Sequence, residues 1–489
     1  MAAPGWWIRF LAGPAAFVAL YLITVSGLSQ EGRVALATFV WAIVWWMLQP
    51  IPLGVTALLP LVVFPVLGTA SAGATASLYG QSIFFWILGT TMLGFAMQKH
   101  GLAKRFSLWF LGLPGVAGST PRLVFVYMLT TALVSMFVSD TATVALMIPI
   151  GMSIYAYVQD IQRAEGDVAL SARGALASSI ALGTLYAAQA GGVATLVGIP
   201  HNALAASLAE RITGQGIGWF QWMLVGFPLS LLLLVSFYGV LRYFFPPELA
   251  SIPGGENFIR EQASKLGKWR RGEVNALLAF LVMLVLFALP TAFVLLFGPE
   301  SAVSLQVRAA LPIWVVPPIV FFLLFVLPVG PRGEGTLVWA DVARHAPWNI
   351  MLLCAGAVAM TDALANFGFI ELVNARIQGV GLGGVGFPFM VASIVAASTN
   401  LISGLAATSL YCNVFIPVAV EVGFNPTSMA MLIANVGLGI MLPWAGAAAG
   451  TAFATGYLDM REMVKVGFFA TLVLIVVTAS VHILFSPIL

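Results

Sequence analysis

Charged residues are scarce in this chain of 489 residues. Lys, Arg, Asp and Glu together make up 8% of it, whereas 61% is hydrophobic. A soluble domain carries about 25% charged residues, so this composition excludes an ordinary soluble fold. The net charge of +3 is small and dispersed, which argues against nucleic acid as a partner. The lipid bilayer is the expected environment, and we expect a polytopic membrane protein.

Cysteine and histidine are also rare. The two cysteines, Cys354 and Cys412, lie in apolar stretches without Cys-x-x-Cys spacing, which indicates neither a disulfide framework nor a metal site. With four histidines and no HExxH, nucleophile-elbow or Walker-type motif in a plausible setting, an enzyme is a remote alternative. An intramembrane hydrolase or transferase would need a clustered nucleophile and base at one membrane face. We therefore expect no enzyme and no cofactor.

Long apolar runs recur from one end of the chain to the other. A helix needs roughly 20 apolar residues to cross a bilayer, so these runs predict about eleven transmembrane helices with shorter apolar pieces between them. The spans should all be helical, because lipid offers no partner for unpaired backbone groups. They are expected near residues 10–28, 34–47, 55–67, 123–138, 175–197, 222–244, 274–297, 311–327, 387–402, 429–442 and 466–485.

One polar linker, residues 246–273, divides the chain into two halves of similar size, residues 1–245 and 274–489. Five basic residues gather toward the end of the linker. Short loops rich in Lys and Arg favour the cytoplasmic side of a membrane. The linker is therefore predicted to be cytoplasmic.

The two halves resemble each other. "ILGTTMLGFAMQKHGL" (87–102) aligns with "CAGAVAMTDALANFGF" (354–369) at an offset of 267, and "SDTATVALMIPI" (139–150) aligns with "ATSLYCNVFIPV" (407–418) at 268. In each half we read the first segment as a re-entrant hairpin and the second as a helix broken by small hydroxyl residues. Such pairs indicate inverted repeats around a site near the bilayer midplane. The alternative is that these small residues only allow close helix packing.

At these residues the sequence resembles the divalent anion/sodium symporter family, which carries dicarboxylates, citrate or sulfate. The most specific match is "SDTAT" (139–143), which is similar to the family motif Ser-Asn-Thr-Ala-Thr. The other matching segments are "PIPLGVTALLPLVVFPVLG" (50–68), "GGVATLVGIPHN" (191–202) and "GYLDMREMVKVG" (456–467). The resemblance implies a homodimer in which each protomer has a scaffold domain and a transport domain that moves like an elevator.

The resemblance also implies two overlapping sets of site residues. Side chains at the two motifs hold the substrate carboxylates, and nearby hydroxyl and carbonyl oxygens hold Na⁺. The implied substrate-binding residues are Ser139, Asp140, Thr141, Asn202, Thr408 and Ser409. The implied Na⁺ ligands are Ser135, Ser139, Asp140 and Gly198.

The chain departs from the family pattern at three places. Asp140 replaces the Asn of the first motif, Ala407 to Ser409 replace the second Ser-Asn-Thr, and "GAAA" (446–449) replaces the second Thr-Pro-Pro-Asn. Since the second motif is eroded, we expect fewer cation sites than in a member with two complete motifs. The surviving cation site should lie around Ser139, Asp140 and Gly198.

Asp140 is the only charged residue between Arg122 and Asp160. A carboxylate inside a membrane is costly, so we expect either Na⁺ or a proton to neutralise it. The alternative is that Asp140 only caps the helix that follows. His201 replaces the second Pro of the family motif, and Asp362 lies in the second hairpin region; for both, a structural role and a functional role stay open.

These observations together predict a secondary active transporter in a bacterial-type plasma membrane. Its substrate is expected to be a small oxyanion, above all a di- or tricarboxylate, and its coupling ion Na⁺ or H⁺. The alternatives are a cation/proton antiporter, which Asp140 would suit, and a carrier of another inorganic anion such as sulfate.

Overall fold

The computed structural model describes residues 4–23, 28–116, 118–164, 174–247, 249–331, 333–369 and 384–489, with the side chains of residues 162 and 164 left aside. The described part is built from helices. In the first half and the linker they are α1 (Pro4–Leu22), α2 (Gln30–Leu48), α3 (Leu53–Thr56), α4 (Leu59–Val66), α5 (Ala72–Ser77), α6 (Ser82–Lys99), α7 (Leu102–Leu111), α8 (Thr120–Ser135), α9 (Asp140–Ala164), α10 (Ala175–Gly192), α11 (Pro200–Thr213), α12 (Trp219–Phe244) and α13 (Gly255–Ser264). In the second half they are α14 (Arg271–Phe297), α15 (Ala302–Ala310), α16 (Val316–Val326), α17 (Trp339–His345), α18 (Trp348–Asn366), α19 (Gly386–Thr399), α20 (Gly404–Glu421), α21 (Pro426–Val436), α22 (Ala447–Ala454) and α23 (Met460–Phe485).

Within the described ranges, nine helices are long and apolar enough to cross a membrane, or ten if the bent pair 302–310 and 313–326 is one span. The sequence predicted about eleven. Several predicted spans are shorter or interrupted in the structure: the run 429–442 is helical only to Val436. The all-helical membrane architecture is nevertheless as expected.

The hairpins do not lie where the sequence placed them. The first predicted hairpin, 87–102, falls largely within the uninterrupted helix α6, which ends at Lys99 and is followed by a turn at Gly101 with a φ of 85°. The second predicted hairpin is likewise one helix, α18, up to Asn366, and residues 370–383 after it lie outside the described residues.

The predicted break at Ser139 is instead the tip of a hairpin formed by α8 and α9. The hydroxyl of Tyr127 donates a hydrogen bond to the carbonyl of Met147 at 2.8 Å. These two residues lie at similar distances before and after the connection 136–139, so the chain folds back on itself there. A straight helix would separate them by about 30 Å, at 1.5 Å per residue.

The second half contains a matching hairpin, α19 and α20, joined by residues 400–403. The rings of Phe387 and Phe415, again about equally far from the connection, have centroids 6.4 Å apart. Each hairpin is followed by an interrupted helix, α10 with α11 and α21 with α22, and then by one long helix, α12 or α23. The internal repeat therefore reaches from residue 120 to 244 and from 386 to 485.

The helices pack in two groups, each drawn from both halves. One group, which we call the inner group, consists of α8 to α12 and α19 to α23, whose strongest packing is with one another. The other, the outer group, includes α2, α3, α6, α14, α16 and α18, with α18 packed on α2, α3 and α6. The two groups touch mainly where α11 meets α6 and α18.

Candidate functional site

The first hairpin tip is tied to the first interrupted helix by hydroxyl groups. Ser135, the last residue of α8, is fully buried and donates to the carbonyl of Ala188 at 2.7 Å. Thr195, in the interruption between α10 and α11, donates to the carbonyl of Met136. These bonds place the tip directly beside the unwound segment 193–199.

The unwound segment is itself closed by one side chain. The amide group of Asn202 donates to the carbonyls of Gly192 at 2.9 Å and Thr195 at 2.7 Å. Gly198 approaches the backbone of Gly192 so closely that a Cβ atom at residue 198 would overlap it. Pro200 then starts α11 at a position where no intrahelical N–H is required. The sequence-based prediction of a broken helix here is confirmed.

Asp140 begins α9 and is buried, with 8% of its surface exposed. Its Oδ1 accepts the backbone N–H of Thr141 at 2.7 Å and the Thr141 hydroxyl at 3.3 Å. The side chain of Gln189 on α10 lies near this carboxyl group. Among the described residues, no basic side chain forms an ion pair with Asp140.

The structure assigns the helix cap to Ser139 rather than to Asp140. An N-cap side chain accepts an N–H from two or three residues further on. Ser139 Oγ accepts the N–H of Ala142 at 3.4 Å, whereas Asp140 reaches only the adjacent N–H. A structural cap therefore does not explain why a carboxylate is present.

A small cavity lies beside Ser139. Its wall includes Thr90 and Thr91 of α6, residues 196–197 and 199 of the first interruption, and Pro200 at the start of α11. The cavity volume is about 20 Å³, room for about one water molecule. A dicarboxylate does not fit into this volume.

The second hairpin tip corrects the register that the sequence suggested. Since α20 starts at Gly404 as α9 starts at Asp140, the residues at the second tip are Ser403 and Gly404. Thr408 and Ser409 lie one turn inside α20, fully buried. Thr408 donates to the carbonyl of Gly404 at 2.9 Å, and the hydroxyl of Ser409 has no partner among the described residues.

The second tip is also hydrogen-bonded to residues 437–446, the segment that separates α21 from α22. Asn400 Oδ1 accepts the backbone N–H of Met441 at 3.1 Å. The "GAAA" segment begins α22 and offers no side-chain donor, in line with the sequence. Asp362 does not cap a return helix: it lies inside α18 and pairs with Arg211 of α11.

Sequence reasoning missed three residues of the site. Gln189 is the only amide side chain of α10, which was a usable signal. Asn400 and Gly404 precede the motif that was matched in the second half, and only the helix boundaries reveal them. Ser135, Ser139, Asp140, Thr141, Asn202 and Gly198 lie around the first tip and its interruption, whereas Thr408 and Ser409 lie inside α20.

Two hairpin tips facing two interrupted helices inside a helical membrane protein define a membrane transporter. The chain belongs to the family described as the sodium:sulfate symporter transmembrane region, whose model matches residues 5–489. The resemblance drawn from the sequence is thereby confirmed, as is a transporter rather than an enzyme.

Similar proteins include the sodium-dependent dicarboxylate transporter SdcS of Staphylococcus saprophyticus, 28% identical over 491 residues, which cover 99% of this chain and 92% of that protein. SdcS of Staphylococcus aureus strain MRSA252 is 26% identical, covering 98% and 91%. Among solved structures, Neisseria gonorrhoeae MtrF has a TM-score of 0.58 at 13% identity, with 98% of each chain covered. The Alcanivorax borkumensis YdaH transporter has a TM-score of 0.53 at 15% identity, covering 87% and 89%. At these identities the two structures show a shared fold.

Proposed function

We propose that this protein is a secondary active transporter that moves a di- or tricarboxylate across the plasma membrane together with Na⁺. The observation that carries the proposal is the buried Asp140 carboxylate, which has no basic partner in the described part of the chain and lies at a tip lined with hydroxyl and carbonyl oxygens. Similarity to proteins named sodium-dependent dicarboxylate transporters supports both the ion and the substrate class.

The cation site we propose consists of oxygen atoms from Ser135, Ser139, Asp140 and the backbone at Gly198. Hard cations such as Na⁺ take oxygen ligands, as other hard ions do. A broken helix supplies free carbonyls at the end of its first part, and these attract a cation. The bond from Ser135 to Ala188 uses its hydrogen and leaves an oxygen lone pair for the ion.

The substrate site we propose lies between the two tips. The start of α11 carries the partial positive charge of a helix N-terminus, which favours an anion, and Thr141, Thr408 and Ser409 add hydroxyl groups. We assign Asn202 a different role from the one implied by the resemblance. Its amide hydrogens already bind two backbone carbonyls, so Asn202 holds the site in shape rather than binding substrate.

We further propose that the inner group of helices is the transport domain and the outer group the scaffold. The tight cavity beside Ser139 supports this division, because its wall combines both groups and must open to admit substrate. In an elevator-like motion the inner group would carry both tips past α6 and α18. The family resemblance also implies a homodimer, which mass measurement in detergent would check.

The test of the function is binding and uptake by the purified protein. In a thermal-shift experiment with Na⁺ present, a dicarboxylate at 100 times its Kd should add about 2.7 kcal/mol of apparent stability, and K⁺ should not replace Na⁺. Reconstituted vesicles should then take up the labelled anion when an inward Na⁺ gradient is applied.

Other outcomes of the same experiment would favour the alternatives. Uptake of sulfate without uptake of dicarboxylates would indicate an inorganic-anion carrier. Exchange of Na⁺ for H⁺ with no anion present would indicate an antiporter. Uptake of the dicarboxylate driven by a proton gradient alone would support the proposed substrate but identify H⁺ rather than Na⁺ as the coupling ion.

A second prediction concerns the ion pair between Arg211 and Asp362. It joins α11 of the inner group to α18 of the outer group, and Asn366 donates to the other oxygen of Asp362 at 3.2 Å. With side chains 24% and 28% exposed, the pair should favour this arrangement of the two groups by about 1 kcal/mol, roughly fivefold in population. Asp362→Asn should shift the protein toward the opposite arrangement.

Cysteine accessibility at a residue introduced on α11 would measure that shift from the two sides of the membrane. Glu261→Gln is the matched control, because it breaks the exposed pair between Glu261 of the linker helix α13 and Lys265 just after that helix. Equal accessibility in wild type, Asp362→Asn and control would contradict a role for the pair in holding one state.

A further inference from the structure

The two hairpin tips differ in the side chain that starts their second helix. Both connections run from the end of one helix to the start of the next over the same length, 136–139 and 400–403. At the first tip α9 starts with Asp140, which supplies a carboxylate. At the second tip α20 starts with Gly404, which supplies no side chain.

In the inner group, the short helix of each repeat packs on the hairpin of the other repeat. Helix α11 of the first repeat packs on α20, the second hairpin, and helix α22 of the second repeat packs on α9, the first hairpin. The start of α11 reaches the second tip, where His201 lies against Gly404. The second residue of α11 is His201, whereas the second residue of α22 is Ala448.

At the first tip the polar side chain belongs to the hairpin, whereas at the second tip it belongs to the short helix packed on the hairpin. The first tip has Asp140, and the short helix packed on its hairpin offers Ala448. At the second tip the tip residue is Gly404, and the facing short helix offers His201. A Cβ atom on Gly404 would overlap His201 Nε2 and the carbonyl oxygen of Gly437, so the imidazole lies against the surface where a tip side chain would begin.

His201 also has an unused hydrogen-bonding atom. Its Nδ1 is buried and has no partner among the described residues, although buried polar groups are normally hydrogen-bonded. An imidazole can present an N–H donor from either ring nitrogen, depending on its tautomer. A carboxylate oxygen is a suitable acceptor for such a donor.

We propose that His201 binds one carboxylate of the substrate at the second tip and thereby sets the preference for anions with two carboxylates. This inference rests on the proposed function and deepens it. Asp140 attracts the cation at the first tip, and His201 donates a hydrogen bond to the anion at the second tip. The two tips therefore bind ligands of opposite charge. His201 of the first repeat then supplies the hydrogen-bond donor that the second motif has lost.

The experiment compares His201→Leu, which keeps volume but removes the donor, with His201→Gln, which keeps a donor. The probes are succinate, which has two carboxylates, and butyrate, which has one, each titrated calorimetrically in saturating Na⁺. His201→Leu should weaken succinate binding by about tenfold to a hundredfold, the effect of losing a hydrogen bond to a charged group. Butyrate binding and the stabilisation by Na⁺ alone should not change, and His201→Gln should recover most of the succinate affinity.

His345→Leu is the matched control, because His345 lies on α17 and stacks on Phe95 of α6 rather than on α11 or α20. If wild type binds no dicarboxylate, the proposed function fails. If wild type binds succinate and His201→Leu binds it equally well, this inference alone is overturned. Equal losses for succinate and butyrate would also overturn it, because they would indicate a structural role. Should His201→Leu fail to fold, His201→Ala, which also removes the donor, takes its place, and an unchanged ratio of succinate to butyrate affinity in that variant contradicts the proposal.

Discussion

An Asp140→Asn variant is expected to bind dicarboxylates with little dependence on Na⁺. In the wild type, an unneutralised Asp140 and a substrate carboxylate about 4 Å apart, at an effective dielectric constant of about 20, would repel each other by about 4 kcal/mol. That repulsion corresponds to roughly a thousandfold in affinity, so substrate binding requires the cation. Asn is nearly isosteric with Asp but carries no charge. The substitution therefore removes the repulsion and, with it, the requirement for Na⁺.

The measurement is the succinate Kd as a function of Na⁺ concentration, in wild type and variant. Asp160→Asn is the matched control, because Asp160 lies on the same helix but is exposed and paired with Arg163. A well-folded Asp140→Asn protein with the wild-type Na⁺ profile would show that coupling lies elsewhere. A profile that flattens along the pH axis instead would identify the proton as the coupling ion.

The first interruption could be predicted because its signals are local. Two glycines precede it, a proline follows it, and Asn202 lies two residues further on, which is the composition expected of a helix that stops and restarts. Asp140 was equally visible, since a single acid in an apolar segment is rarely without a function. Both features depend on the residues themselves rather than on their partners.

The hairpin at Ser139 could not be predicted in the same way. Residues 123–150 form helix on both sides of the tip, and the local pattern is the same whether the chain passes straight through or folds back. What decides is the contact between Tyr127 and Met147, which joins residues distant in sequence. The local pattern therefore predicts two helical segments but not their relative direction.

The sequence alignment of the second motif with the first was wrong for a related reason. Aligning Pro149 with Pro417 implies an offset of 268, whereas aligning the starts of α9 and α20, Asp140 and Gly404, implies 264. The difference is four residues, about one helical turn. A shift of one turn keeps every residue on the same helix face, so the apolar pattern fits both registers. Only the position of the tip separates them.

The Asn202 side chain bridges the break in the first repeat, and Asn202→Ala should show how far the break depends on that bridge. The variant loses two buried hydrogen bonds and leaves the carbonyls of Gly192 and Thr195 without this donor. We expect a loss of about 2–4 kcal/mol in stability. Because Gly198 lies in the same segment, we also expect loss of the Na⁺-dependent rise in thermal stability.

Asn413→Ala is the matched control for this prediction. Asn413 is also buried, but its amide donates at 2.7 Å to the carbonyl of Ser409 four residues earlier in α20, a group that the helix itself can satisfy. Its removal should therefore cost less, about 1 kcal/mol, and should leave the response to Na⁺ intact. Thermal unfolding of both variants with and without Na⁺ gives the comparison. If Asn202→Ala and Asn413→Ala lose equal stability and both still respond to Na⁺, the interruption is held by its backbone turns, and the side chain of Asn202 is free to serve the substrate after all.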